Sequence, residues 1–87
     1  MKTKDFCEWI KGIRVDKLTT KEFTDKCPAF HPNTIKTYEK DRLPDVDYLF
    51  ALHKLTGFSF DELVSKRTAI KLQSLGIENE FDIQKLS

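Results

Sequence analysis

The chain of 87 residues is long enough for one small domain, since domains typically have about 100–150 residues. Its 39% apolar and 33% charged side chains are typical of a globular protein, and its three glycines and three prolines exclude a linker or a collagenous segment. The net charge of +1 gives none of the strong basic excess that would by itself indicate nucleic-acid binding, although residues 1–42 are mildly basic.

Apolar residues recur at helical spacing along most of the chain and predict an all-α domain of five short helices. The first is predicted over residues 4–16, with Thr3 as its N-cap. Thr19 and Glu22 have the spacing of a capping box, in which each side chain bonds the backbone N–H of the other residue. They open a second helix over residues 20–26, which ends because the next proline forbids helical backbone before it.

A proline also opens the third predicted helix, over residues 32–40. Pro32 suits the first position of that helix, where the missing N–H would have no partner in any case. Ile35 and Tyr38 supply its inward side. His31 occupies the N-cap position, where we expect a histidine to be a poor cap.

Two further helices are delimited by capping residues. Asp45 is the predicted N-cap of a fourth helix over residues 46–56, which Gly57 closes. Its predicted inward side chains are Val46, Leu49, Phe50, Leu52 and Leu55. Ser59 begins a second capping box and opens a fifth helix over residues 60–67.

Residues 68–87 form a C-terminal extension whose structure the pattern leaves open. Their apolar side chains are too many for a disordered tail but fit no period cleanly. Residues 68–75 could extend the fifth helix, and residues 79–86 could form another short helix. For the extension as a whole, a packed C-terminal helix, an oligomer contact and a frayed tail are the alternatives. We therefore predict one domain over residues 1–67, followed by this extension.

The sequence gives no sign of an active site or a metal centre. It lacks a glycine-rich phosphate loop, a nucleophile elbow and a zinc-protease motif. Two cysteines without CxxC spacing and two scattered histidines predict neither a disulfide framework nor a metal site. No apolar run approaches the roughly 18 residues of a membrane span, and no signal-peptide core follows the charged start. We expect a soluble cytoplasmic protein that is not an enzyme, with no cofactor, no small-molecule substrate and no membrane contact.

The second and third predicted helices carry the pattern that points to a function. A short capped helix, a tight turn and a helix with few inward residues leave that last helix protruding enough to enter the major groove of DNA. Its outer side chains suit base edges, since Asn33 pairs with adenine and Thr37 with a base or a thymine methyl group. Lys36 suits a guanine edge or a phosphate. Thr20 and Lys21, at the start of the preceding helix, are placed to meet a phosphate.

These helices and the residues that follow them resemble a known family of DNA-binding regulators. The motifs are LTTKEFT at residues 18–24, NTIKTYEK at 33–40, LPDVDYL at 43–49 and LTGFSFDEL at 55–63. In this order and at this spacing they resemble lambda-repressor-like (Cro/C1-type, XRE) helix-turn-helix regulators over residues 14–67, and the Pro-Asp-x-x-Tyr-Leu wording is most similar to temperate-phage repressors. The resemblance implies a compact five-helix DNA-binding domain.

The same resemblance implies roles for particular residues. The recognition helix is expected over residues 32–40, with base contacts from Pro32, Asn33, Lys36 and Thr37. The expected phosphate contacts are Thr20, Lys21, Lys40 and Arg42. Arg14 is expected to form a structural ion pair with Glu39. The turn over residues 27–31 departs from the family, because it is one residue longer than usual and has Pro28 in place of a glycine.

The residues and the resemblance together predict a sequence-specific DNA-binding transcriptional regulator, a phage or mobile-element repressor. The weak net charge implies few phosphate contacts per subunit, so we expect a homodimer on a double-stranded DNA operator. One alternative is an antitoxin-type regulator that represses its own operon. The other is a helical protein–protein interaction module that does not bind DNA and docks a partner through Phe30, Phe50, Phe58 and Phe81.

Overall fold

The computed structural model describes residues 2–76, which form α-helices joined by turns and contain no strand. The five helices are α1 (Thr3–Lys17), α2 (Thr20–Lys26), α3 (Pro32–Tyr38), α4 (Val46–Thr56) and α5 (Phe60–Ser74). The predicted all-α class is therefore confirmed for this part of the chain. The helix predicted over residues 79–86, and Phe81 within it, lie outside the described residues.

Local capping interactions set the ends of α2 and α4, whose predicted bounds agree with the structure. Thr19 Oγ1 accepts the N–H of Glu22 at 3.1 Å, and Glu22 Oε1 accepts the N–H of Thr19 at 2.8 Å, so the predicted capping box is formed. Asp45 caps α4 by accepting the N–H of Tyr48 at 2.9 Å. Gly57 ends α4 with a φ of 80°, a left-handed conformation that costs glycine little.

The N-termini of α1 and α5 differ in detail from the prediction. Thr3 is not the N-cap of α1 but its first helical residue, because the carboxylate of Asp5 accepts the N–H of Lys2 at 3.1 Å and so caps the helix one residue earlier. At α5, Ser59 Oγ accepts the N–H of Glu62 at 3.2 Å, which is half of the predicted capping box. The carboxylate of Glu62 lies instead 3.9 Å from the lysine ammonium one turn further along.

The C-terminus of α3 lies two residues before the predicted end at Lys40. Tyr38 is the last helical residue, and the N–H groups of Lys40 and Arg42 both bond the carbonyl of Thr37, at 3.2 and 3.3 Å. These bonds tighten the backbone into a turn in the manner common at helix ends. Lys40 and Arg42 therefore project from a turn beyond α3 and not from the helix itself.

The C-terminus of α5 lies seven residues beyond the predicted end at Arg67. The helix continues to Ser74, and Ile70 on this added part is 5% exposed. Leu63 and Ile70 are two turns apart, so both lie on the buried face of α5. The continuation of the fifth helix into residues 68–75, one of the possibilities that the sequence left open, is therefore present as far as Ser74.

The core forms around Tyr48, which is fully buried. Its ring centroid lies 5.3 Å from that of Phe23, 5.2 Å from that of Phe30 and 5.0 Å from that of Tyr38, so the ring joins residues of α2, α3 and the turn between them. The buried apolar cluster comprises Phe6, Ile10, Phe23, Ile35, Tyr38, Tyr48, Leu49, Leu52, Leu63 and Ile70.

Two predicted core residues of α4 lie at the surface. Val46 and Phe50, which the apolar pattern placed inward, are 42% and 50% exposed. The buried residues of this helix are Tyr48, Leu49 and Leu52, whose spacing defines a single inward stripe. Val46 and Phe50 are rotated about 110–150° from the centre of that stripe, given 100° per residue.

Candidate nucleic-acid interface

The outer side of α3 is polar and open to solvent. Asn33, Lys36 and Thr37 are exposed, and Pro32 at the first helical position is half-buried. The opposite side of the helix carries Ile35, which is fully buried, together with Tyr38 and Glu39, which are 8% exposed. Three inward residues therefore hold α3 to the bundle, and three of the four predicted base-contacting residues, Asn33, Lys36 and Thr37, are open to solvent.

His31 is the N-cap of α3 and makes a capping hydrogen bond. Its Nδ1 accepts the N–H of Asn33 at 3.1 Å, which satisfies one of the free donors at the start of the helix. The ring nitrogen stands where a serine or threonine oxygen would stand, and how much this cap stabilises the helix stays a prediction. At the other end of the same segment, Thr37 Oγ1 donates to the carbonyl of Asn33 at 2.9 Å. The Thr37 hydroxyl proton is used inside the helix, which leaves its oxygen lone pairs and methyl group for external contacts.

The Arg14–Glu39 ion pair is present and fixes the end of α3 against α1. Arg14 Nε and Nη2 donate to the two carboxylate oxygens of Glu39 at 2.6 and 3.0 Å, a bidentate arrangement with both side chains about 5% exposed. Arg14 Nη1 also donates to the carbonyl of Leu18 at 2.8 Å, which ties in the segment before α2. The hydrogen bond with Glu39 raises the pKa of the Arg14 guanidinium, and burial raises the pKa of Tyr48, whose hydroxyl donates to Glu39 at 3.4 Å.

The unusual turn between α2 and α3 is held by specific contacts. The Thr24 hydroxyl donates to the carbonyl of Phe30 at 3.3 Å, and the N–H of Phe30 donates to the carbonyl of Cys27 at 3.1 Å. The Phe30 ring also packs edge-on against the Phe23 ring, with the two ring centroids 6.4 Å apart. These contacts hold the turn over residues 27–31, in which Pro28 is exposed.

The residues predicted to contact phosphates lie before and after α3, and they differ in exposure and in whether an ion-pair partner is present. Thr20 is half-buried at the first position of α2, while Lys40 and Arg42 are exposed. Lys21 Nζ lies 3.0 Å from a carboxylate oxygen of Asp25, and both side chains are more than half exposed. Exposed pairs of this kind contribute only about 0–1 kcal/mol, so Lys21 can exchange this partner for another anion.

A groove between α1 and α3 brings together basic side chains that the sequence analysis did not assign. We call it the basic groove; its lining residues are Lys4, Glu8, Lys11, Arg14, Thr20, Lys36, Glu39 and Lys40. Lys4 and Lys11, both exposed, were missed because they lie outside residues 14–67, the part of the chain that carries the resemblance. Their spacing of seven residues, with Glu8 between them, puts all three on one face of α1 and was the signal available.

The aromatic residues proposed for docking a protein partner have different environments. Phe30 and Phe58 are half-buried and pack against the core cluster. Phe50 is half exposed and packs edge-on against Phe60, with ring centroids 5.6 Å apart. These rings therefore do not form one contiguous exposed patch.

The described part of the chain has neither a metal-binding cluster nor a helix that could span a membrane. Residues 2–76 contain no group of three or more histidine, cysteine, aspartate or glutamate side chains that could hold a metal ion. Within the same residues, no helix has the length and apolar character needed to cross a bilayer. Cys7 is buried and Cys27 half-buried, and both are free thiols.

Comparison with known proteins gives no assignment. No family model, curated protein or solved structure matches this chain. The likeness to lambda-repressor-like regulators therefore rests on the motifs of the sequence. Function has to be inferred from the residues and geometry of the site itself.

Proposed function

We propose that this protein is a sequence-specific DNA-binding transcriptional regulator that inserts α3 into the major groove. The exposed polar side of α3 is the observation that carries this proposal. An α-helix with its side chains is about 10–12 Å in diameter, and the major groove of B-DNA is about 12 Å wide, so α3 can enter it. The inward side of α3, with Ile35 and Glu39, leaves the outer side free for this contact.

The base-reading roles follow from the side chains on that outer side. Asn33 pairs with an adenine edge through its amide, and Lys36 reaches a guanine edge or a phosphate. Thr37 contacts a base through its oxygen or a thymine methyl group through its own methyl group. Pro32 has no donor and contributes apolar contact only. Sequence readout therefore depends most on Asn33.

The phosphate contacts are proposed from the elements that flank α3. Thr20 and Lys21 lie at the start of α2, and Lys40 and Arg42 project from the turn beyond α3. Their positions on either side of α3 would fix its register in the groove, since phosphate contacts orient a protein on the duplex without reading sequence.

The same proposal includes family, regulatory sign and assembly. We assign the chain to the lambda-repressor-like class, as a phage or mobile-element repressor without enzymatic activity. The Arg14–Glu39 pair supports this assignment, because the resemblance led us to expect it at those two positions. A net charge of +1 is small for a DNA-binding subunit, so we expect tight binding to require a homodimer on a two-fold operator.

Selection from a random pool of duplex DNA tests this function. The expected result is a palindromic consensus whose half-sites lie about 10–10.5 base pairs apart, centre to centre. Asn33→Ala, carried through the same selection, is expected to lose preference at one position of each half-site. A pool that shows no enriched sequence after repeated rounds would exclude sequence-specific binding and favour the interaction module.

A further inference from the structure

Two pairs of lysines face each other across the basic groove. Lys4 and Lys11 line it from α1, and Lys36 and Lys40 line it from α3 and the turn that follows. Lys4 and Lys11 lie two helical turns apart, which corresponds to about 10.5 Å along the helix axis. One DNA strand carries a phosphate for about every 3.4 Å of the duplex axis, so two lysines at this distance can contact different phosphates of the same strand.

The charges in the groove leave a clear positive excess. Arg14 and Glu39 bind each other in a bidentate pair and neutralise one another. Glu8 is the remaining carboxylate in the lining, against four lysine ammonium groups. Among residues 2–76, none of those four lysines forms an ion pair with a carboxylate, whereas Lys21 and Lys66 do. Clefts lined by one sign of charge concentrate the field and attract the opposite charge.

The two sides of the groove, α1 and the end of α3, are joined by a buried ion pair. The Arg14–Glu39 pair joins the end of α3 to α1, and Arg14 also holds the carbonyl of Leu18 just before α2. Thr20, the first residue of α2, lies in the lining between the two walls. Because the Arg14–Glu39 pair is buried, it fixes α1 relative to the end of α3.

We infer that the basic groove holds one sugar–phosphate strand of the bound duplex, with Lys4 and Lys11 of α1 contacting its phosphates from one side and Lys36 and Lys40 from the other. This inference rests on the proposed function and deepens it. It extends the DNA-contacting surface to α1. It also assigns Lys36 to a phosphate, so that base reading falls to Asn33 and Thr37.

The salt dependence of DNA binding provides the test. Each lysine that contacts a phosphate adds about 0.9 to the magnitude of the slope of log K against log salt concentration. The double variant Lys4→Gln/Lys11→Gln removes two such contacts from each subunit of the dimer and is therefore expected to reduce that slope by about 3.6 on the palindromic duplex selected from the random pool. Its selected consensus is expected to be the same as the parent's, because phosphates carry no sequence information.

A matched control removes the same charge elsewhere. Lys54→Gln/Lys71→Gln changes two exposed lysines of α4 and α5 that do not line the groove. Glutamine and lysine have similar helix propensities, so both double variants are expected to fold like the parent, which far-ultraviolet circular dichroism checks. The control is expected to keep the parent's slope.

The outcomes separate this inference from the proposed function. Equal slopes for the groove variant and the control would overturn the inference, while the parent's selected consensus would leave the proposed function standing. A changed consensus in the groove variant would also overturn it, since the α1 lysines would then be reading bases. A parent that binds no duplex at any salt concentration would overturn both.

Discussion

The two sides of α3 differ in how many interactions constrain their residues. On the inward side, Ile35 is fully buried, and the carboxylate of Glu39 accepts hydrogen bonds from Arg14 and Tyr48. On the outer side, Asn33 and Lys36 are exposed, and the structure gives their side chains no partner among residues 2–76. Polar side chains gain little stability in such exposed positions, so their chemistry is free to serve an external ligand.

This difference separates stability from recognition on one short helix. Substitutions on the inward side are expected to unfold the protein before they change its specificity. Substitutions on the outer side are expected to change binding and leave the free energy of unfolding nearly unchanged. The basic groove combines both kinds of residue, because its lining includes the buried Arg14–Glu39 ion pair, which we expect to affect stability, and exposed lysines, which we expect to affect binding.

The largest effect is expected from breaking the buried ion pair. Arg14→Leu leaves the carboxylate of Glu39 buried without its guanidinium partner and is expected to lower the free energy of unfolding by about 3–5 kcal/mol. Urea denaturation measures the loss. The double variant Arg14→Leu/Glu39→Leu is expected to regain much of it, because no uncompensated charge then remains.

An exposed ion pair provides the contrast to Arg14–Glu39. Lys21→Ala breaks the pair with Asp25 and is expected to change the free energy of unfolding by no more than about 0.5 kcal/mol. If Arg14→Leu cost as little as Lys21→Ala, the inward side of α3 would not be more constrained than the surface, and the comparison between the two sides would fail.

The next largest effect is expected on DNA binding, from substitutions on the outer side of α3 and in the turn that follows it. Asn33→Ala is expected to weaken binding to the selected duplex by about 1–3 kcal/mol and to relax preference at one base pair, with urea stability unchanged. Lys40→Ala is expected to weaken all duplexes about equally. Fluorescence anisotropy on the selected duplex and its single-base variants measures both effects. If both variants bound every duplex as the parent does, the outer side of α3 would not be the reading face.

A smaller effect is expected at the start of α3. His31→Ala removes the acceptor of the Asn33 N–H and is expected to cost about 0.5–1 kcal/mol in the free energy of unfolding. His31→Ser restores an acceptor at the same position and is expected to be at least as stable as the parent. Thermal unfolding of the three proteins measures this, and equal midpoints for His31→Ala and the parent would show that the ring nitrogen does not act as a cap.

The smallest effect concerns pH and the capping box of α2. The N–H of Thr19 donates to the carboxylate of Glu22 and lowers the pKa of that carboxyl in the folded state. The carboxylate therefore contributes stability above its unfolded pKa, and this contribution is lost as the pH falls through the lower folded value. Glu22→Gln keeps an acceptor but does not titrate, so the stability advantage of the parent is expected to shrink between pH 6 and pH 3. An advantage that grew on acidification would contradict the sign of this shift.

Features that depend on neighbouring residues could be predicted from the sequence. The bounds of α2 and α4 follow from Thr19, Asp45 and Gly57. Thr19 and Asp45 accept a backbone N–H three residues further on, and Gly57 adopts the left-handed conformation that ends a helix, so each acts within four residues of itself. The exposed outer side of α3 follows in the same way from the helical period, since the apolar Ile35 and Tyr38 fix which side faces inward.

Features that depend on packing could not be predicted in this way. The continuation of α5 through Ile70 depends on the core in which the Ile70 side chain is buried. The exposure of Phe50 depends on Tyr48, because the Tyr48 ring of the same helix occupies the centre of the cluster. The basic groove unites Lys11 with Lys36, two residues far apart in sequence that only the docking of α1 against the end of α3 brings together.

The sequence by itself determined the helical class, most helix starts and the polar side of α3, because hydrogen bonds and periodicity act over a few residues. The tertiary structure alone decided where α3 and α5 end, which aromatic ring fills the core and which lysines share a groove. These depend on surfaces that meet only after the chain has folded, where the buried Arg14–Glu39 pair and the close-packed core select one arrangement.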